Sequence, residues 1–313
     1  MLANPDRKDT RASVATATRP DEECCAAAAA AAPSRISARG WSEVLRRTFF
    51  RVFEKRLPGE AAAVAFYALL ALFPAMAALV WLCGMLADPA AAAGRLRDAA
   101  SGALPPGAAE VAGEVLSRLA ARPGSGFDFG TGAAMFGAAL WGGTAAAAQL
   151  LGALNAAYGE RESRNLLRFY AVALLFALGA GAFVVLALAA IVVPAALGAQ
   201  AGPGSGADAA LRFGRWPVLL VAVSVALAVA YRHGPSRGCP QWKWASWGGA
   251  FAALAWLLGS AAFSDYVARI GGYDQVYGSL GAVVGLMTWA WLSSAALLAG
   301  AALNAELERE AAI

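Results

Sequence analysis

The stretch YDQVYGSLGAVVGLMTWAWLSSAALLAGAALNAE, Tyr273 to Glu306, decides the fold. No charged residue interrupts it between Tyr277 and Asn304. At ~1.5 Å rise per residue, a helix of that length exceeds the ~30 Å hydrocarbon core of a bilayer, so the sequence predicts a transmembrane helix. Its small residues Gly278, Ala282, Gly285, Ser293, Ala296 and Gly300 step by three, four or their combinations and stay near one face. That seam is expected to pack on protein, against the amide-bearing face of the second span, because close backbone approach is how helices associate in lipid.

The remainder of the chain agrees with this reading. Hydrophobic residues make up 59% and charged residues 15%, against about 25% charged in soluble domains. The mean hydropathy is +0.55. Several apolar runs of about 20 residues predict one polytopic domain. The net charge of +4 comes from basic residues in short segments beside apolar runs, which fits membrane orientation better than nucleic-acid binding. Cys24, Cys25, Cys83 and Cys239 spell neither a disulfide framework nor a metal site.

Residues 1 to 40 mix Asp, Arg, Ser, Thr and Pro around an alanine run and read as a disordered cytoplasmic tail. From Trp41 to Leu57, Trp41, Val44, Leu45, Phe49, Val52 and Phe53 recur at helical spacing beside five cations. This predicts an amphipathic interfacial helix, with Arg46, Arg47, Arg51, Lys55 and Arg56 as contacts to anionic phospholipid headgroups. The membrane domain, 41–310, is expected to hold six spans at about 61–86, 130–158, 169–193, 216–231, 244–263 and 277–304. Pro74 should kink the first span. Asp88 to Asp128 is the longest connection and reads as one or two helices on the outer surface. Gln149 and Asn155 are the strong amides of span two and are expected to join helices.

Orientation follows from Lys and Arg. With both termini inside, the inner side carries 18 and the outer side 7 of the 25. The positive-inside rule then selects N-in and C-in. The fold class is thus an all-α membrane protein of six transmembrane helices.

Several separated motifs resemble the YihY/BrkB family of bacterial inner-membrane proteins. They are Ala65-Phe66-Tyr67 to Phe73-Pro74, Leu154-Asn155 with Tyr158, Tyr231-Arg232 with Pro235, and Tyr277-Gly278-Ser279-Leu280-Gly281 followed by Gly300 to Asn304. The resemblance covers about Trp41 to Glu310 and implies six spans with cytoplasmic termini. Two positions depart from the family pattern. Trp141-Gly142-Gly143-Thr144 lacks the polar or basic residue that relatives tend to carry, and Ala302 stands where they tend to have an acid.

Members of that family were long labelled ribonucleases, but a nuclease needs converging acid-base groups or metal ligands and a basic docking surface. His233 is alone and the acidic residues are scattered. No catalytic group, cofactor or metal is expected. The six span cores lack Asp, Glu, Lys and Arg, which argues against an ion pump or proton-coupled carrier. Two readings stay open: handling or translocation of lipids or amphipathic molecules, with Tyr67, Gln149, Asn155 and Ser293 as polar contacts and Arg232 at headgroups, or a noncatalytic membrane scaffold. Candidate polar or packing positions also include Pro74, Tyr277, Gly278, Ser279, Gly285, Gly300 and Asn304. The implied partners are the lipid bilayer, its anionic headgroups and a second copy in a homo-oligomer, with no nucleic acid.

Overall fold

A computed structural model describes residues 38–84, 129–201, 221–237, 242–269 and 281–311, together with Gly94, Arg97, Asp98, Gly113, Glu114 and Ser117. Residues 1–37 of the tail, most of the Asp88 to Asp128 connection, Trp216, Tyr277, Gly278 and Ser279 lie outside the described residues, and the last three residues of the expected tail are helical.

Seven helices make up most of the described chain: α1 Ala38–Glu54, α2 Leu57–Gly84, α3 Phe129–Tyr158, α4 Leu166–Ala201, α5 Val221–His233, α6 Trp242–Arg269 and α7 Gly281–Ala311. Five of them, α2, α3, α4, α6 and α7, are long and apolar enough to cross a membrane. The expected fourth span corresponds to α5, whose described length is shorter than a crossing. The helices also run past the expected span ends, α4 to Ala201 and α7 to Ala311. Apolar composition marks the hydrocarbon segment, whereas the backbone ladder continues into polar residues as long as its carbonyls find donors.

Local signals explain the boundaries. Between α1 and α2 there is almost no connector. Arg56 takes the left-handed conformation at φ 51° and its carbonyl accepts from the Gly59 and Glu60 amides, so one residue ends α1 and begins α2. Pro58 sits in the first turn of α2, where a missing N–H costs nothing. Gly159, at φ 74°, closes α3 with paired bonds, its N–H to Ala156 and the Glu160 N–H to Asn155. Asn165 caps α4 by accepting the Arg168 N–H.

α3 packs most extensively on α2, and α7 on α6. The tight α2–α3 approach uses glycine at two levels. A Cβ on Gly132 would lie 2.1 Å from the Trp81 indole, and one on Gly142 3.0 Å from Ala71 Cα. The first departure from the family pattern, at Gly142, therefore falls where α2 and α3 touch. Ala302, the second, is fully buried in the main core.

The seam of α7 meets a different neighbour from the one expected. Gly300 packs against Gly248 and Ala252 of α6 and the Tyr231 hydroxyl, and a Cβ on Gly285 would meet, among the described residues, only Phe263, at 4.0 Å. Gln149 of α3 instead donates to Glu60 of α2. The spacing of small residues locates a packing face but cannot name its partner, because a glycine groove fits any helix that brings its own small residues.

Candidate functional site

The motifs that lie far apart in the sequence converge at one end of the bundle, where α1, the start of α2, the ends of α3, α5 and α7 and the start of α6 come together. This polar end holds a hydrogen-bonded network with charged groups inside it.

Arg51 of α1 is its first anchor. Its Nε and Nη2 both meet Glu306 Oε1, and Nη1 donates 3.0 Å to the Ala157 carbonyl at the end of α3. Both side chains of the pair are only 6% exposed. Two opposing charges removed from water need each other, since either alone would be an uncompensated buried ion. Burial pushes the Arg51 guanidinium down from its ordinary pKa, and the Glu306 charge opposes that shift. The expectation that Arg51 contacts lipid headgroups is thus corrected. Its register, with Thr48 and Val44 one and two turns away, places it on the face packed against Leu303 and Leu307.

Arg237, just after α5, is the second anchor. Nη1 donates to both carboxylate oxygens of Glu308, at 2.8 and 2.6 Å, and Nη2 to the Tyr231 carbonyl at 2.7 Å. Its guanidinium lies 4.1 Å from the Tyr158 ring centroid, within cation–π range. Tyr231 is fully buried and donates to the Leu297 carbonyl. Asn304 accepts the Gly248 N–H at 2.8 Å. A Cβ on Gly248 would fall 2.4 Å from that amide, so glycine is what admits Asn304.

A junction of two loops forms the third part. Asn155 donates to Glu162 and accepts the Ser236 N–H, and Ser163 and Ser236 share a hydroxyl contact. Arg164 Nη2 reaches the carbonyls of His233, Gly234 and Pro235. Burial pushes the Glu162 carboxyl up, but the Arg164 N–H, the Asn155 amide and the Arg164 charge outweigh it and leave it below its ordinary pKa. On α1, hydrogen bonds from Arg46 and Arg47 hold Glu43 down at about 2. Arg47 also reaches Glu310 of α7.

Of the positions expected from sequence, Asn155 and Asn304 belong to this end, with Gly300 one turn above. Ser293 lies farther along α7, where it receives the Trp256 indole N–H while Trp289 donates to Ser260. Tyr67 and Pro74 lie along α2, away from the network, Tyr67 stacking edge-on with Phe66. Arg232 is half-buried beside Tyr231. Sequence reasoning missed Arg51–Glu306, Arg237–Glu308, Arg164 and Gly248. Their signal was a late acidic run, Glu306, Glu308 and Glu310, facing a basic first helix. Counted for topology, those charges concealed their pairing.

The comparisons with known proteins agree with the motifs. The family described as Virulence factor BrkB matches residues 48–312. YfkH of Bacillus subtilis, named as ribonuclease-like, is 28% identical over 179 residues, 55% of this chain and 64% of YfkH. The UPF0761 membrane protein IL2447 of Idiomarina loihiensis is 32% identical over 93 residues, 30% of this chain and 32% of that protein. The chain thus spans less than two thirds of the length of these relatives. No solved structure matches. With the family match running from inside α1 to the last residues of α7, the chain belongs to the BrkB family of membrane proteins.

Proposed function

We propose that this is a noncatalytic multi-pass protein of the bacterial inner membrane that handles or translocates lipids or amphipathic molecules in envelope homeostasis. Both termini face the cytoplasm in this reading, because the positive-inside count assigns the polar end to that side. The observation that carries the proposal is the contrast along α6 and α7. They are clamped at Gly248 and Gly300, whereas a Cβ on Gly285 would meet, among the described residues, only Phe263, at van der Waals distance. Between those levels the polar groups are neutral, the Trp256–Ser293 and Trp289–Ser260 pairs. An apolar seam with a few neutral hydrogen-bonding steps suits an amphiphile better than an ion. The carboxylates of the polar end support a noncatalytic role, since Glu306, Glu308 and Glu162 are each engaged by arginine or amide donors.

The alternative is a noncatalytic scaffold or assembly factor acting as a homo-oligomer, and one face favours it. On α4, a Cβ on Gly179 or Gly181 would meet nothing within 4 Å among the described residues, and Leu175 is exposed. Reconstitution in liposomes with fluorescent anionic and zwitterionic lipids separates the two. Translocation faster than in empty vesicles is expected; equal rates across lipid classes, with cross-linked dimers through α4, would select the scaffold.

A further inference from the structure

The structure divides the apolar residues of α1 between two faces. Val44 packs with Leu303 and Leu307, and Trp41 with Trp247. Leu45, Phe49 and Phe53, spaced by four, point the other way and are 48%, 61% and 59% exposed. Phe49 and Phe53 stack on each other, with centroids 4.9 Å apart. Large aromatics in a row on a helix already anchored by its other face are an uncovered surface that something must cover.

The cations are divided too. Arg51 turns inward, Arg46 is held by Glu43, and Arg47 by Glu43 and Glu310. Lys55 and Arg56 are exposed at the elbow into α2, beside Glu54, and Arg161 and Arg168 are exposed at the same end of the bundle. The polar end therefore exposes Lys55, Arg56, Arg161 and Arg168 beside the acids Glu54 and Glu160, with the cations in excess. Because α2 starts at Leu57, directly after the elbow, α1 is held at the level where α2 enters the bilayer.

We propose that the outward face of α1 docks on the anionic surface of the bilayer that α2 crosses. Leu45, Phe49 and Phe53 enter the acyl boundary, Lys55 and Arg56 sit at the lipid phosphates, and Arg51 latches the opposite face to Glu306. Charge complementarity and the short elbow, closed by the Gly59 and Glu60 amides on the Arg56 carbonyl, select this occupant. It rests on the membrane-spanning reading of α2 and is independent of whether the protein moves lipid.

The test uses the full chain in vesicles, with Cys24, Cys25, Cys83 and Cys239 replaced by serine and single spin labels at positions 45, 49 and 53. Collision rates with oxygen and with a water-soluble nickel chelate report depth. In vesicles containing phosphatidylglycerol, oxygen should dominate at all three sites. Labels should move toward water in pure phosphatidylcholine, and the Lys55→Gln/Arg56→Gln variant should lose that difference. Nickel-dominated collisions in both vesicle types would overturn the proposal and leave a soluble protein as the occupant. Equal depth in both compositions would overturn the assignment to an anionic surface. Should the cysteine-free chain fail to fold, a photo-cross-linking amino acid at position 49 of the native chain gives a second readout: lipid adducts support docking, and their absence refutes it.

Discussion

The two ends of the α6–α7 pair are built on different chemistry. At the polar end, Gly300 sits so close to α6 that a methyl group would meet the Gly248 carbonyl at 2.6 Å, and Asn304 hydrogen-bonds into the α6 backbone. Toward the start of α7, a methyl group on Gly285 would meet, among the described residues, only Phe263, at 4.0 Å, and Val283 and Val284 precede it. Both levels carry glycine in the same seam, yet only one uses it for contact. A small residue permits close approach; a second group, here an amide or an ion pair, is what enforces it.

The largest expected effect is at Arg237. Arg237→Leu leaves Glu308 without its cation and the Tyr231 carbonyl without its donor, and should cost about 3 kcal/mol by thermal unfolding in detergent. A loss under about 1 kcal/mol would mean that water already solvates this pair. Next comes the seam. Gly300→Ala should destabilise by about 1–3 kcal/mol through overpacking, while Gly285→Ala should be neutral or slightly stabilising through helix propensity. Equal effects at the two positions would erase the contrast between the ends.

That contrast marks where sequence reasoning succeeded and where it stopped. The long helices were legible because charge-free apolar runs of bilayer length have few other uses, and α7 was the clearest of them. The helix before them was legible too, but its two apolar stripes merged into one, because Val44 and Leu45 are adjacent in sequence and part company only once α7 occupies one side. The polar end was least legible. Arg51 and Glu306 are 255 residues apart, and the acidic run and the basic helix that hold them do not say which acid meets which base. Motif resemblance did name Asn155, Tyr158, Tyr231 and Asn304, and the fold brings these four residues, from three helices, to one end.

A smaller effect concerns pH at the loop junction. Glu162 titrates below its ordinary value, so its contribution is complete above the unfolded value of about 4.5 and is lost as pH falls through the folded one. Protonation weakens its hold on Asn155 and the Arg164 N–H, and the 159–165 loop should become more susceptible to an acid-active protease as pH falls through the folded value. Unchanged cleavage down to pH 3 would show the junction does not depend on that charge. The smallest effect is at the far end of α6, where the exposed Arg269–Asp265 pair should contribute no more than about 0.5 kcal/mol, so Arg269→Ala barely shifts unfolding.

The most direct measurement is a double-mutant cycle on Arg51 and Glu306, read by thermal unfolding in detergent. Arg51→Met and Glu306→Leu should each cost about 3 kcal/mol or more, because each leaves a buried charge, and the double variant should recover at least about 2 kcal/mol of the summed loss. Strictly additive losses would contradict a polar end locked by that pair.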